Sequence, residues 1–180
     1  MLNAGGGAEA SSVCRTRCAW KKFRDLLPIL TSHVLSLKRK GILYEACVRS
    51  VMLYGSETWT LKEVDTVRIH RTDMRMLRWM AGVKLSDRVP SAELLQKFGV
   101  RSIRELMQHR RLRWYGHVER MKDDNWVKRC CSIAVEGKRT RGRPRKTWEQ
   151  VVAADIMEKS LNRTIAQDRV AWRKGILAKV

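Results

Sequence analysis

The sequence predicts an all-α protein, with several short helices arranged in one or two small helical bundles. Apolar side chains recur at the i, i+3, i+4 spacing of one helix face through most of the chain. Ser or Thr followed three residues later by Glu or Gln, a pattern that caps the amino end of a helix, occurs repeatedly. Alternating runs typical of strands are nearly absent. Hydrophobic residues make up 44% of the chain, which is enough for a packed core.

The first helices are bounded by glycine and proline. Residues 1–12 contain three consecutive glycines and are expected to form a flexible tail. The apolar spacing from Trp20 to Leu27 favours a helix that Pro28 breaks. The next helix should end at Gly55 and bury one face. The residues predicted for that face are Leu43, Ala46, Cys47, Ser50, Val51 and Tyr54.

Capping patterns predict where the following helices begin. Thr60 with Glu63 should open a helix that ends at Gly82, and Ser91 should cap a short helix that ends at Gly99. The apolar stripe of the first of these consists of Val64, Val67, Met74, Leu77 and Ala81. Ser102 with Glu105 should open a helix whose stripe is Ile103, Leu106, Met107, Trp114, Val118 and Met121.

Two more helix starts are predicted near the carboxyl end, at Thr147 with Gln150 and at Thr164 with Gln167. Three tryptophans, Trp114, Trp148 and Trp172, lie in this half of the chain. Large rings dominate burial in small domains, so we interpret them as core anchors. Base-stacking platforms are the alternative.

Charge is the strongest functional signal. Lys and Arg outnumber Asp and Glu by 38 to 18, a formal net charge of +20. Such a surplus predicts a polyanionic partner, and DNA or RNA is favoured over a membrane because the charge is spread along the chain without a lipidation signal. Since neither a membrane span nor a secretory signal is readable, we expect an intracellular, nuclear protein with no small-molecule substrate.

The five cysteines are interpreted as free thiols. Their count is odd, and a reducing compartment disfavours disulfides. Cys14 and Cys18 are four residues apart, but no second half-site completes a zinc centre. No metal and no cofactor are therefore expected.

The positive charge is concentrated between Arg101 and Lys146, where fifteen Lys and Arg face five Asp and Glu. A first cluster, Arg110, Arg111 and Arg113, lies on a predicted helix. A basic loop over residues 136–146 follows. The candidate nucleic-acid ligands of this loop are Lys138, Arg139, Arg141, Gly142, Arg143, Pro144, Arg145 and Lys146.

The centre of this loop, Arg141-Gly142-Arg143-Pro144, resembles the core of an AT-hook. Glycine permits close approach and proline fixes an extended path, so the flanking arginines could enter a narrow A·T minor groove. Plain phosphate contact or a nuclear-localisation signal accounts for the same residues.

Four blocks resemble the reverse transcriptases of non-LTR (LINE-type) retrotransposons, in the order that this family shows. They are residues 43–59 (LYEACVRSVMLYGSETW), 111–121 (RLRWYGHVERM), 141–148 (RGRPRKTW) and 168–173 (DRVAWR). The resemblance implies the helical thumb and carboxyl-terminal region of an RNA-directed DNA polymerase. It divides the chain into a thumb-like region, 13–100, and a basic region, 101–180.

One departure from the family bears on catalysis. Reverse transcription requires palm carboxylates that hold two divalent metals, and the family carries them as aromatic-x-Asp-Asp on a strand hairpin. The nearest match, Met121-Lys122-Asp123-Asp124, lacks the aromatic and follows a helix, so we interpret its two aspartates as a polar helix-to-loop boundary. No catalytic residue is expected in this chain.

The leading hypothesis is a region of a retrotransposon polymerase that grips template, primer or target DNA without catalysis. The alternatives are a protein that binds A·T-rich DNA through the AT-hook-like loop, and a non-functional product of a degenerate element.

Overall fold

A computed structural model of the chain describes residues 8–132 and 146–178. All regular structure in these residues is helical, which confirms the all-α prediction. The α-helices are α1 (Ala8–Asp25), α2 (Leu27–Thr31), α3 (Leu37–Tyr44), α4 (Ser50–Met52), α5 (Glu63–Ala81), α6 (Ser91–Phe98), α7 (Ile103–Glu119), α8 (Trp126–Ser132), α9 (Trp148–Glu158) and α10 (Arg169–Leu177). A π-helical turn, Glu45–Arg49, joins α3 to α4.

The chain divides into two compact units. The first consists of Met1–Ser56 and Leu61–Met107, and the second of Glu57–Thr60 and Gln108–Val180. The boundary lies within α7, whereas the sequence placed it between residues 100 and 101. Residues 8–12, expected in the flexible tail, are the first residues of α1.

The first unit is built around a core to which α1, α3, α5 and α6 contribute Phe23, Tyr44, Leu77 and Phe98. Phe23 packs edge-on against Tyr44, with ring centroids 6.3 Å apart. Helix α3 comes so close to the end of α6 that a Cβ on Gly41 would lie 2.1 Å from the carbonyl oxygen of Phe98. Only glycine fits at that position without backbone movement.

The apolar face predicted for residues 43–54 was wrong. Ala46 and Tyr54 of that face are exposed, and Leu43, Cys47, Ser50 and Val51 are half-buried. The buried side chains are instead Tyr44, Val48, Arg49, Met52 and Leu53. The predicted face omitted Arg49, whose guanidinium is fully buried and paired with Asp73.

In the first unit the end signals at Gly82 and Gly99 are confirmed, and the start predicted at Ser102 is confirmed because α7 begins at the next residue. The end predicted at Gly55 is not confirmed, since α4 already ends at Met52, and the caps predicted at Thr60 and Ser91 are not confirmed either. Gly82 and Gly99 follow α5 and α6 with φ of 68° and 65°, in the left-handed conformation that ends helices. Thr60 does not cap α5, whose N-cap is Lys62 without a side-chain hydrogen bond. Ser91 is the first residue of α6 rather than its cap. Val64, predicted on the buried stripe, is 66% exposed.

Around Pro28 and in the second unit the start and stop signals are partly confirmed. Pro28 lies in the first turn of α2, after the break that follows α1. Thr147 and Gln150 form the predicted capping box, in which each side chain accepts a hydrogen bond from the other's backbone amide, at 3.3 and 3.0 Å. The start predicted at Thr164 was wrong, since Arg163–Gln167 is a 3₁₀ turn and Asp168 caps α10.

Candidate nucleic-acid interface

The second unit positions α7 by packing it on a small aromatic and aliphatic core. Leu112 and Tyr115 of α7 are buried in one cluster with Val152, Ile156 and Trp172. The indole N–H of Trp172 donates a hydrogen bond to the carbonyl oxygen of Leu112, at 3.0 Å. This bond joins the α10 ring to the α7 backbone, so it fixes which face of α7 is turned inward.

Gly116 allows this close contact. A Cβ added to Gly116 would lie 2.2 Å from Nε1 of Trp172, well inside van der Waals contact. The ring of Tyr115 lies beside the same indole, with centroids 5.8 Å apart. Tyr115 and Gly116 of α7 therefore form the surface against which Trp172 of α10 packs.

Polar contacts secure the sides of α7. The Arg111 guanidinium donates to the Asp155 carboxylate from Nε at 2.5 Å and from Nη2 at 3.2 Å. Gln108 donates to Glu158 at 2.9 Å, and Arg120 donates to the carbonyl oxygen of Ala166 at 2.6 Å. Arg111 was predicted as a nucleic-acid ligand; the structure gives it a packing role that the sequence did not predict.

The opposite side of α7 carries Arg110, Arg113, Trp114 and His117, which we call the α7 outer face. At about 100° per residue, each lies roughly 100° or more around the helix from Leu112. Arg113 and His117 are exposed, while Arg110 and Trp114 are half-buried. The Trp114 and His117 rings are in contact, with centroids 5.5 Å apart. Cations beside aromatic rings are suited to phosphate contact and base stacking.

The predicted basic loop falls mostly outside the described residues. Lys138, Arg139, Arg141, Gly142, Arg143, Pro144 and Arg145 all do, so their binding roles remain predictions. Lys146 is exposed and directly precedes the Thr147 cap of α9. The structure thus brings Arg110 and Arg113 together on α7.

Two of the three tryptophans are core anchors, as predicted. Trp172 is 2% exposed. Trp148 packs against the core and donates its indole N–H to the carbonyl oxygen of Glu57, at 2.8 Å. Trp114 differs because it lies on the α7 outer face, half-buried, so the base-stacking alternative still applies to it.

Asp123 and Asp124 lie in the turn between α7 and α8, which confirms the predicted helix-to-loop boundary. The Asp123 side chain is 95% exposed and forms an ion pair with Lys128, at 2.7 Å. The hydrogen bond from Lys128, together with its charge, lowers the pKa of Asp123. An exposed carboxylate paired with an ammonium group is a surface ion pair.

The five cysteines are free thiols, as predicted; Cys47 is half-buried and the other four are exposed. Over residues 8–132 and 146–178, no group of three His, Cys, Asp or Glu side chains could hold a metal ion. In the same residues, no helix combines the length and the apolar character that crossing a membrane requires.

The sequence reading missed a basic surface in the first unit, formed by two neighbouring depressions on α1 and α5 that share Trp20. Its residues are Arg17, Trp20, Lys21 and Arg24 of α1, and Arg68, Arg71 and Arg75 of α5. We call this surface the α1–α5 groove. The signal was available, because the cations of each helix recur at spacings of three and four. The higher charge density between Arg101 and Lys146 masks this weaker signal.

The chain is similar to a transposon-derived protein. It is 26% identical over 174 residues to an uncharacterized transposon-derived protein of Caenorhabditis elegans, and the alignment covers 88% of this chain. The chain spans 61% of the length of that relative. No protein-family profile matches the chain, and no solved structure matches it.

Proposed function

We propose that this chain is the product of a transposable element and that it binds nucleic acid through the phosphate backbone. Its role would be that of the thumb and carboxyl-terminal region of a non-LTR retrotransposon reverse transcriptase. The similarity to a transposon-derived protein supports the origin. The four sequence blocks support the particular element type, and the net charge of +20 supports the class of ligand.

The α7 outer face is the observation that carries the proposal. A helix held by Trp172, Gly116 and the Arg111–Asp155 pair turns two arginines and the Trp114–His117 pair away from its core. Cations on a rigid helix can contact successive phosphates at low entropic cost, because the scaffold already fixes their spacing. The proposed contacts carry no sequence information, so binding would depend on salt more than on sequence.

We further propose that this segment grips nucleic acid and does not polymerise. Two-metal phosphoryl transfer requires carboxylates that converge on the ions. The adjacent aspartates of this sequence lie on an exposed turn, and Asp123 is engaged by the ammonium group of Lys128. Incorporation of nucleotides onto a primer–template by the purified chain with Mg²⁺ would overturn this part of the proposal.

The test is binding of the full chain to duplex DNA, to an RNA–DNA primer–template hybrid and to single-stranded RNA, each over a salt series. The variant Arg110→Gln/Arg113→Gln removes two cations from the α7 outer face. The control variant Lys38→Gln/Arg39→Gln removes two exposed cations from α3. Each lost phosphate contact lowers the salt slope on duplex DNA by about 0.9, so the α7 variant should lose about 1.8 and the control less.

Three results would decide against this reading. Absence of binding to all three ligands at low salt would overturn the proposed function and favour the product of a degenerate element. Equal losses in the α7 variant and the control would remove the α7 outer face from the interface. Preference for A·T-rich duplex that disappears in Arg141→Ala/Arg143→Ala would instead support the minor-groove reader that the Arg141–Pro144 motif predicts.

A further inference from the structure

The α1–α5 groove consists of two open depressions that share Trp20. The first, of about 520 Å³, is lined by Trp20 and residues of α5, which we call the α5 wall. The second, of about 470 Å³, is lined by residues of α1, which we call the α1 wall. Arg17, Lys21 and Arg24 lie on the α1 wall, and Arg71 and Arg75 on the α5 wall, all of them exposed. The whole groove belongs to the first unit, so it is separate from the α7 outer face of the second unit.

Acidic side chains near the groove are fewer, and two of the three are engaged by arginines. Glu63 pairs with Arg104. Asp65, almost fully buried, pairs with Arg68 at 3.3 Å. Asp25, the third, lines the α1 side of the groove. The surface potential of the groove is therefore positive, as an anionic ligand requires.

Trp20 lies between the two walls and lines both parts of the depression. The guanidinium of Arg75 lies over its ring, 5.7 Å from the centroid. Phe23 and Trp79 hold the indole from other sides, with centroids 5.7 and 6.4 Å away. Trp20 is half-buried, so part of a well-positioned aromatic ring reaches the solvent of the groove.

We propose that the α1–α5 groove binds single-stranded nucleic acid, with a base stacked at Trp20 and Arg75 and the backbone contacted by cations of both walls. Single-strand sites combine a positive groove that follows the phosphates with aromatic rings that stack on bases. Unpaired bases also stack on the planes of arginine guanidinium groups. That the ligand is a nucleic acid rests on the proposed function. The location of the site in the groove and its preference for a single strand rest on the residues of the groove itself.

The strandedness follows from the position of the aromatic ring. In a duplex the base faces are stacked on one another, so a ring at the bottom of a groove would meet no free base face. A site that contacts phosphates alone gains nothing from an indole between the cations. The combination of Trp20 with cations on both sides therefore fits an unpaired strand better than a duplex.

The first test measures binding of the full chain to a labelled oligothymidylate, with a blunt duplex of equal length as comparison. Lys21→Gln/Arg71→Gln removes one cation from each wall, and Lys38→Gln/Arg39→Gln again serves as the charge-matched control. For single strands, each lost phosphate contact lowers the slope of log affinity against log salt concentration by about 0.7. The groove variant lacks two cations, so its slope on the oligothymidylate should be lower by about 1.4. Duplex binding and the control variant should change less.

The second test separates stacking from charge. Arg75→Lys keeps the positive charge but removes the guanidinium plane, so it should weaken oligothymidylate binding several-fold with the salt slope unchanged. Trp20→Leu should weaken it by roughly fivefold or more and reduce quenching of tryptophan fluorescence by the bound oligonucleotide. Because Trp20 also packs against Phe23, the binding of Trp20→Leu is interpreted only if this variant has the same thermal melt as the parent chain. The result for Arg75→Lys does not depend on that condition.

Each outcome tests a separate part of the proposal: the location of the site, the preference for a single strand, and the class of ligand. Unchanged oligothymidylate binding in the groove variant and in Arg75→Lys would overturn the groove but leave the α7 outer face intact. Equal loss on the oligonucleotide and the duplex would overturn the single-strand assignment. Capture of phosphatidylserine vesicles, lost in the groove variant while oligothymidylate binding is retained, would assign the groove to a membrane. Absence of binding to any nucleic acid by the parent chain would overturn the proposed function itself.

Discussion

The guanidinium of Arg49 and the carboxylate of Asp73 form a two-bond ion pair in the core of the first unit. Nε donates to Oδ1 at 2.9 Å and Nη2 to Oδ2 at 2.7 Å, and neither side chain is exposed. Tyr44 donates its hydroxyl to the same carboxylate at 2.9 Å, and Nη1 of Arg49 donates to the carbonyl oxygen of Arg101 at 2.7 Å. Both buried charges thus have hydrogen-bonded partners, which is the condition for their burial.

This cluster also sets the protonation of its members. Burial and the negative charge of Asp73 raise the pKa of Tyr44, so the phenol remains a hydrogen-bond donor. Burial by itself would lower the pKa of Arg49, but the charge of Asp73 and the hydrogen bonds to it outweigh burial and raise that pKa. The Arg49 guanidinium therefore keeps its positive charge despite its burial.

Breaking the pair from one side should destabilise the first unit strongly. Arg49→Met or Asp73→Asn leaves the other side chain buried without its partner, which typically costs about 3–5 kcal/mol. The double variant should cost less than the sum, because no uncompensated charge remains. Urea unfolding followed by circular dichroism gives the three free energies. Additive losses would show that the two side chains are not coupled.

The Arg49–Asp73 pair also shows why sequence reasoning misassigned the face of residues 43–54. The predicted face followed the i, i+3, i+4 spacing from Leu43 and omitted Arg49, whose side chain is fully buried. Its partner lies 24 residues further on in another helix, and no local pattern connects the two. The π-helical turn at Glu45–Arg49 shifts the register as well. Burial of a charge depends on tertiary pairing, so one sequence does not reveal it.

Signals that act within one turn were more predictable. Gly82 and Gly99 adopt the left-handed conformation, and Thr147 and Gln150 cap each other, because each feature needs only neighbouring residues. On α7 the sequence identified the arginines of a basic surface. It did not show which of these arginines face away from the core. Arg111 and Arg113 are two residues apart, and only the position of Asp155 distinguishes the buried pair from the exposed cation.

Gly116→Ala should destabilise the second unit, although alanine normally favours a helix by about 1 kcal/mol over glycine. The new methyl group would overlap the Trp172 indole, and overpacking of this kind typically costs about 1–3 kcal/mol. Gly175→Ala is the matched control, since its methyl group would meet only the end of the Leu161 side chain, which can move. Thermal melts should show a lower midpoint for Gly116→Ala than for Gly175→Ala. The reverse order would contradict the role assigned to Gly116.

Arg111 and Arg113 should separate stability from binding. The side chains of Arg111 and Asp155 are only 11% and 10% exposed. Arg111→Gln breaks this ion pair and should therefore lower the free energy of unfolding by about 1–3 kcal/mol. Arg113→Gln changes an exposed side chain, so its stability should stay within about 0.5 kcal/mol of the parent chain while the salt slope of binding falls. Urea unfolding and the binding titration are measured on the same preparations. Equal stability losses would show that both arginines are structural.

The start of α10 carries an ionised cap that should make the stability of this helix depend on pH in acid. The Asp168 carboxylate accepts hydrogen bonds from the backbone amides of Val170 and Ala171, at 2.8 and 3.1 Å. The bond from Ala171 and then the one from Val170 lower the pKa of Asp168. Since its folded pKa lies below the unfolded value of about 3.9, the stabilisation is complete above that value and is lost as the pH falls through the folded pKa.

Asp168→Asn keeps a good capping oxygen but cannot titrate, whereas Asp168→Ala removes the acceptor at every pH. As the pH is lowered from 5 to 2, the melting midpoint of the parent chain should therefore fall more than that of Asp168→Asn. Melts at half-unit pH steps measure it, and all other carboxylates cancel because they are common to both proteins. Asp168→Ala should melt below Asp168→Asn throughout. Parallel pH profiles for the parent chain and Asp168→Asn would show that the ionised cap contributes nothing to acid stability.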